Sequence, residues 1–517
     1  MILRGSRGVH VPVALVVIAL LVIGCTSVSP APPASGSGGT GSSASGKLPV
    51  TVAGYYAQKL HWTPCHKDFQ CARLLVPYDY NRPAWRRFSL PVIRLPASDR
   101  RARIGSLVVN PGGPGGSGIS YALQAPSEIA APVRARFDIV GFDPRGVGGS
   151  EPAVHCLTGP QLDKYFATND TPHDRAQLSA VIDESQLFAR ACQRNSGSLL
   201  PYVGTRNAAR DMDVLRAVLG DKKLTYLGKS YGTYLGTWYA ELFPQHIRAM
   251  VLDGALNPDA SSLSMNVIQG EGFEVALHAF VADCLRRIGC PLGQGGPVKA
   301  GVARIQALLN QVARRPLTSN IGDGRPAGPA LILNGIVAAL YSQTYWGTLR
   351  TALQAAFRGD GTVLVELGNL LYERNGRGQY TNLADANMAV NCLDRPWPRT
   401  LARWRSAAAL AARKAPQFGA AIMWGSLPCA YWPVRSYPLP KVKAKGAPPI
   451  LVVGNKRDPA TPYRWAQELA RDLQSGVLLG WNGNGHTAYM MGSACVNYTV
   501  DNYLIGRQVP SNGTVCP

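Results

Sequence analysis

Gly228-Lys229-Ser230-Tyr231-Gly232 sets a serine between two glycines, after the apolar run 224–227 and before a helix-like run over 233–243. A chain that leaves a strand and enters a helix through one residue doubles back sharply, and only small side chains fit two positions either side of the reversal. Such a turn pushes the Ser230 hydroxyl clear of the sheet edge. It also points a helix N-terminus at any oxyanion forming on an attacked carbonyl, so the chemistry it predicts is acyl transfer at Ser230. With 55 glycines in 517 residues, the five-residue pattern also arises as an ordinary turn, and its partners must decide.

A serine hydroxyl is a poor nucleophile until an imidazole takes its proton, and the imidazole needs a carboxylate on its other nitrogen. Three histidines follow Ser230. His246 falls at the far end of the helix that begins at the turn, and His278 falls on a later helix-like stretch. His486 sits in Gly483-Asn484-Gly485-His486-Thr487, a glycine loop after an apolar run, where a catalytic base belongs. For the acid, Asp458 leaves the run 450–454 through Asn455-Lys456-Arg457 and enters Pro459-Ala460-Thr461-Pro462. Asp253, at the end of the preceding apolar run, is the competitor. The cluster from Asn110 to Gly118 can leave backbone N–H groups free to complete an oxyanion hole with the N–H of Tyr231. A phosphate-cradling loop is the poorer reading, since the cluster does not end in Gly-Lys-Ser/Thr and its prolines remove donors.

The elements that must hold these residues show in the rhythm of apolar runs. Residues 74–93 predict an antiparallel hairpin. The runs 106–109, 137–142, 224–227 and 249–252 are short and continuously apolar, as strands buried on both faces require, and helix-spaced stretches such as 207–219 separate them. The rhythm stops after Asp253, gives way to helix-like segments at 272–287, 301–313, 331–341 and 401–414, and resumes at 449–454 and 477–479. This predicts a mostly parallel, doubly wound α/β sheet with a large helical cap inserted between late strands. The expected boundaries are 49–260 and 441–517 for the core and 261–440 for the cap.

Residues 1–25 carry Arg4 and Arg7, an apolar run over 11–23 and the exit Gly24-Cys25, the pattern of an export signal. Gly24-Cys25 resembles the lipobox of bacterial lipoproteins, which implies lipidation of Cys25 and anchoring to the outer face of a membrane. Residues 26–48 are mostly Ser, Gly, Ala, Pro and Thr and read as a flexible tether. Setting Cys25 aside leaves ten cysteines of the eleven, an even number that favours disulfides in an exported chain. The simplest expectation joins neighbours: Cys65 with Cys71, Cys156 with Cys192, Cys284 with Cys290, Cys392 with Cys429, and Cys495 with Cys516. No Cys-x-x-Cys pairs suit structural zinc. The net charge of +22 is scattered, and the basic stretch 82–103 carries only Trp85 and Phe88 as aromatics. That is thin for a nucleic-acid platform, so an anionic envelope or a plain solvated surface is the expected consequence.

Taken in order, Gly112-Gly113-Pro114-Gly115, Asp143-Pro144-Arg145-Gly146-Val147-Gly148-Gly149-Ser150, the Ser230 turn, Asp458-Pro459-Ala460-Thr461-Pro462 and Gly485-His486-Thr487 resemble the prolyl-iminopeptidase and tripeptidyl-aminopeptidase branch of the α/β hydrolases. The similarity is greatest to secreted or lipid-anchored actinobacterial members and runs from about residue 50 to the C-terminus. It implies Ser230 as nucleophile, His486 as base, Asp458 as acid, and Gly113 with Tyr231 as oxyanion donors. It implies a structural role for Arg145, no metal or organic cofactor, and removal of short peptides from free N-termini beneath the cap. An anion is then needed for the substrate ammonium, and Glu271, Glu274 and Asp394, in stretches that resemble recurring family patches, are the candidates. A carboxylesterase or lipase of the envelope, and a non-catalytic envelope lipoprotein, are the alternative readings.

Overall fold

The computed structural model describes residues 49–439 and 441–517. The export signal, Cys25 and the tether lie outside the described residues. Ten strands form one sheet: β1 Thr63–Cys65, β2 Phe69–Pro77, β3 Arg87–Leu95, β4 Gly105–Asn110, β5 Phe137–Phe142, β6 Leu224–Lys229, β7 Ile247–Asp253, β8 Ile450–Arg457, β9 Gly476–Asn484 and β10 Thr514–Cys516. Their order is β1-β2-β3-β5-β4-β6-β7-β8-β9-β10. The leading strands pair antiparallel through β3 and β5, and every pairing from β5 to β10 is parallel.

Continuous apolar runs become central strands because both faces are covered. Leu107, Val109, Leu227, Val251 and Leu451 pack into one core, while Val108, Tyr226, Leu252 and Val452 pack into the other. Each β residue turns the opposite way from its neighbour, so burial on both sides leaves no polar alternation to read. The chain runs from β4 outward to β5 and then crosses back to place β6 on the other side of β4. The loops after β4 and β6 therefore meet at the switch point, where the carboxyl ends of open α/β sheets bind ligands. Those loops carry the glycine cluster and Ser230.

Between β7 and β8 the chain builds only helices and short turns among the described residues. The expected segments appear at Ser262–Leu285, Val298–Arg314, Pro329–Leu340 and Leu401–Lys414. The first starts ten residues before its expected Gly272, because Ser261 caps it by accepting from the Ser264 N–H. Four more helices, Trp346–Ala356, Thr362–Leu371, Leu383–Asp394 and Gly419–Gly425, were not expected. They run only 7 to 12 residues, so each offers about three turns of period or fewer; Thr362–Leu371 buries Leu364, Val365 and Leu367 and leaves Glu366 exposed. Two further helices, Gly159–Ala167 and Arg175–Ser196, lie between β5 and β6.

The ten cysteines form Cys65–Cys71, Cys156–Cys192, Cys284–Cys290, Cys392–Cys429 and Cys495–Cys516. Arg145 is fully buried, pairs with Asp211 and donates to the carbonyls of Pro77, Tyr78 and Tyr202. One guanidinium thus ties its turn to the hairpin and to the helix Thr205–Val218.

Candidate active site

Ser230 joins β6 to the helix Tyr231–Leu242 at φ 55° and ψ −124°, a conformation that non-glycine residues rarely hold. Its N–H donates to the Asp253 carbonyl at 2.8 Å, which braces the turn against β7. A Cβ on Gly228 would stand 2.4 Å from the Gly232 oxygen, and one on Gly232 would stand 2.8 Å from the Asn110 oxygen. The glycines at these two positions are therefore obligatory for the turn. The glycine loop lies directly against it, since a Cβ on Gly112 would meet Ser230 Cβ at 2.8 Å and the Tyr231 nitrogen at 2.9 Å. Among the described residues the N–H groups of Gly113 and Tyr231 donate to no protein acceptor. Asp143 holds the loop from behind, accepting from Ser117 Oγ at 2.6 Å and from the Gly149 N–H at 2.8 Å.

His486 Nδ1 lies 2.9 Å from Asp458 Oδ1 and 3.0 Å from Oδ2. The Asp458 carboxylate also accepts from the N–H groups of Ala460, Thr461 and Thr487 and from Thr461 Oγ1. So many donors hold a buried carboxylate in one orientation. The hydrogen bonds of the imidazole to protein groups are all at Nδ1, so Nε2 has no hydrogen-bond partner among the described residues. The His486 loop is gripped from three sides. Asn455 Nδ2 donates to the Gly485 carbonyl at 2.6 Å, and Asp253 accepts from the Ala488 and Tyr489 N–H groups at 2.9 Å each. From the insertion, the Tyr341 carbonyl accepts the His486 N–H at 2.7 Å, and the Tyr341 ring stands edge-on to the imidazole.

Asp253 thus serves the loop backbone rather than the imidazole; burial raises its pKa, and the nearby Lys229 ammonium opposes the rise. His246 pairs with Asp213 at the far end of the Ser230 helix, and His278 is exposed on the helix Ser262–Leu285. Asn455, Thr461 and Tyr341 were not anticipated. Asn455 and Thr461 flank Asp458 in sequence, so their position was a usable signal; Tyr341 comes from a distant helix end and had none.

Ser230, Gly113 and His486 line one cavity of about 550 Å³, together with residues of the insertion and of the helices between β5 and β6. None of the three candidate carboxylates for a substrate amine lines it. Glu271 faces a separate outer hollow and pairs with Arg464. Glu274 accepts the Gln417 N–H at 2.6 Å, and its pKa is pushed up to about 7 by burial. Asp394 accepts from the N–H and hydroxyl of Thr205, whose hydroxyl also meets the Tyr231 phenol. Burial pushes Asp394 up to about 6, and its bonds to Thr205 join the end of an inserted helix to the segment behind Tyr231. The cavity instead holds two carboxylates with no counterpart among the candidates, Asp170 and Glu184.

Residues 105–294 match the family model for the alpha/beta hydrolase fold, and residues 415–516 match that for TAP-like protein. Serine protease Hip1 of Mycobacterium tuberculosis is 37% identical, covering 97% of this chain and 96% of its own. Carboxylesterase B of the same species is 37% identical over 86% of each chain, and tripeptidyl aminopeptidase of Streptomyces lividans is 33% identical over 88% of this chain and 86% of its own. With a mostly parallel sheet, a serine at its switch point and relatives matched over nearly their whole length, this chain belongs to the TAP-like family of α/β hydrolases and is a serine hydrolase.

Proposed function

We propose that the chain is a serine peptidase that cleaves peptide bonds near free N-termini through an acyl-enzyme. Ser230 Oγ attacks the scissile carbonyl carbon as His486 Nε2 takes its proton, and Asp458 stabilises the imidazolium through Nδ1. The oxyanion is received by the N–H groups of Gly113 and Tyr231 at the N-terminus of a helix. His486 then passes the proton to the leaving amine nitrogen, and water, activated by the same imidazole, frees the acid product. The observation that carries this reading is the His486–Asp458 pair opening onto the cavity that Ser230 lines. A cavity of about 550 Å³, within the usual range of about 300–1,000 Å³ for small-ligand sites, suits a short peptide end better than an internal chain segment.

Profiling of cleaved N-termini with the wild-type protein beside Ser230→Ala tests reaction class and cleavage position together. New N-termini displaced by a few residues, absent with the variant, are expected; turnover of acyl esters with no peptide turnover would give the enzyme to ester chemistry. The carboxylesterase B relative makes that arm necessary. We further propose export and lipidation at Cys25, with attachment to the outer face of the cell membrane. Intact mass of the protein from membranes is expected to show an acylated Cys25 as first residue. Among the described residues no helix is long and apolar enough to cross a membrane.

A further inference from the structure

The segment between β5 and β6 forms part of the cavity wall, and its chemistry is unlike the rest. Asp170 and Glu184 line the cavity on the loop and helix that follow Gly159–Ala167. Asp170 is partly buried, and its Oδ1 is enclosed and meets no donor among the described residues. Glu184 is 6% exposed; one oxygen pairs with the outward Lys164 at 2.5 Å, and the other, Oε2, meets no donor. Both carboxylates lie near the Tyr165 phenol, which burial raises in pKa and which each of them raises further. Around them stand Tyr165, Phe166, Phe188 and Tyr372, with Phe166 stacked on Tyr372 at 3.7 Å.

Two carboxylate oxygens left without donors inside an aromatic recess are costly unless a ligand supplies the donors. A cationic donor answers both the missing hydrogen bonds and the charge. Lys164 offsets one of the two charges, leaving one anion for one monovalent guest, and aromatic faces favour an ammonium further. Burial holds the Asp170 pKa up at about 7, a shift that an arriving cation would reverse. Arg395, which also lines the cavity, donates to the carbonyls of Pro258 and Ala260 and pairs with neither Asp170 nor Glu184 among the described residues. The turn bearing Asp170 is fixed locally, since Asn169 Oδ1 accepts from Thr171 and Asn169 Nδ2 donates to Gln177. The disulfide Cys156–Cys192 staples the segment at both ends.

We propose that Asp170 and Glu184, within the Tyr165 and Tyr372 recess, bind the α-ammonium of the substrate peptide and thereby set how far from the N-terminus Ser230 cuts. This rests on the peptidase reading of the same cavity. It moves the amine anchor from the inserted cap to the segment before the Ser230 turn.

The test compares kcat/KM for a tripeptide coumarin amide bearing norleucine side chains with that for its N-acetyl form, in wild type, Asp170→Asn, Glu184→Gln and the double variant. The wild type is expected to favour the free amine. The ratio is expected to fall about tenfold or more in each single variant and about a hundredfold in the double variant, mostly through KM. A ratio is unmoved by partial loss of folded enzyme. As a check needing no variant, n-butylammonium is expected to compete with the free-amine substrate of the wild type. A wild type that cleaves no peptide overturns the peptidase reading as well, and one that cleaves both forms equally overturns the preference for free N-termini together with the recess. A wild-type preference that survives in the double variant overturns the recess alone. So does a ratio that responds to lysine side chains in acetylated peptides but not to the α-amine.

Discussion

Replacing Asp458 by asparagine separates charge from shape at the pair that orients His486. The carboxylate receives His486 Nδ1 at 2.9 and 3.0 Å, the Ala460 and Thr461 N–H groups on Oδ1, and the Thr487 N–H with the Thr461 hydroxyl on Oδ2. An amide keeps one acceptor oxygen. With that oxygen left to Ala460 and Thr461, the NH₂ faces the Thr487 N–H and the imidazole. The Thr461 hydroxyl can rotate, but the buried Thr487 donor loses its partner at a cost of about 1–3 kcal/mol in stability. The NH₂ now donates to Nδ1, which forces the ring proton onto Nε2, and an Nε2–H cannot accept the Ser230 proton. Such a tautomer change is worth about four powers of ten in kcat, or about 5.5 kcal/mol of activation free energy. Asp253→Asn is the control, because Asp253 holds only the Ala488 and Tyr489 N–H groups of the loop. It is expected to lose a similar amount of stability while keeping kcat within about tenfold. The assay is turnover of a tripeptide coumarin amide, with thermal unfolding followed in parallel. The reasoning fails if folded Asp458→Asn turns over within about tenfold of wild type, or if Asp253→Asn is the more damaging of the two.

Three other outcomes are expected. Glu274 holds a proton more tightly folded, at about 7, than unfolded, so its contribution is full below the ordinary glutamate value and is lost as pH rises through about 7. The stability of wild type relative to Glu274→Gln should therefore fall by up to about 3 kcal/mol between pH 4.5 and 8, read from denaturant unfolding at each pH. Cys392–Cys429 closes a loop of separation 37, and Cys392→Ser with Cys429→Ser should cost about 4 kcal/mol, measured as a loss in the denaturant midpoint. Asp211→Asn leaves the Arg145 guanidinium buried without its anion and should cost about 3–5 kcal/mol, seen as a lowered melting temperature.

The parallel strands were legible because continuous apolar runs have few other uses in a folded core. Ser230, Asp458 and His486 were legible because each sits on a loop after such a run, in an order that few folds share. The additional helices at 346–356 and 362–371 were not: they are only 11 and 10 residues long, about three turns each, so the buried stripe each carries, such as Leu349, Leu353 and Ala356 in the first, stands out little from the flanking sequence. The amine candidates show a different obstacle. Glu271, Glu274 and Asp394 are carboxylates on inserted helices, as the reading required, yet their side chains turn to Arg464, to a backbone N–H and to Thr205. A side chain's heading depends on the helix packed against it, and no local pattern carries that information.

What the sequence determined by itself is the kind of chemistry available: a serine on a glycine-flanked turn, followed by an acid and a histidine, needs only local sterics and chain order to be recognised. What the tertiary structure decided is which groups share one cavity. Asp170 and Glu184 come from a segment with no motif at all, and they line the cavity of Ser230 and His486 because crossing from β5 to β6 lays that segment at the carboxyl end of the sheet. Their unpartnered oxygens follow from packing that brought no donor to them. Asp170, Glu184 and His486 all lie more than forty positions from Ser230 and meet it through the path of the chain across the sheet, a property of the folded chain rather than of any stretch within it.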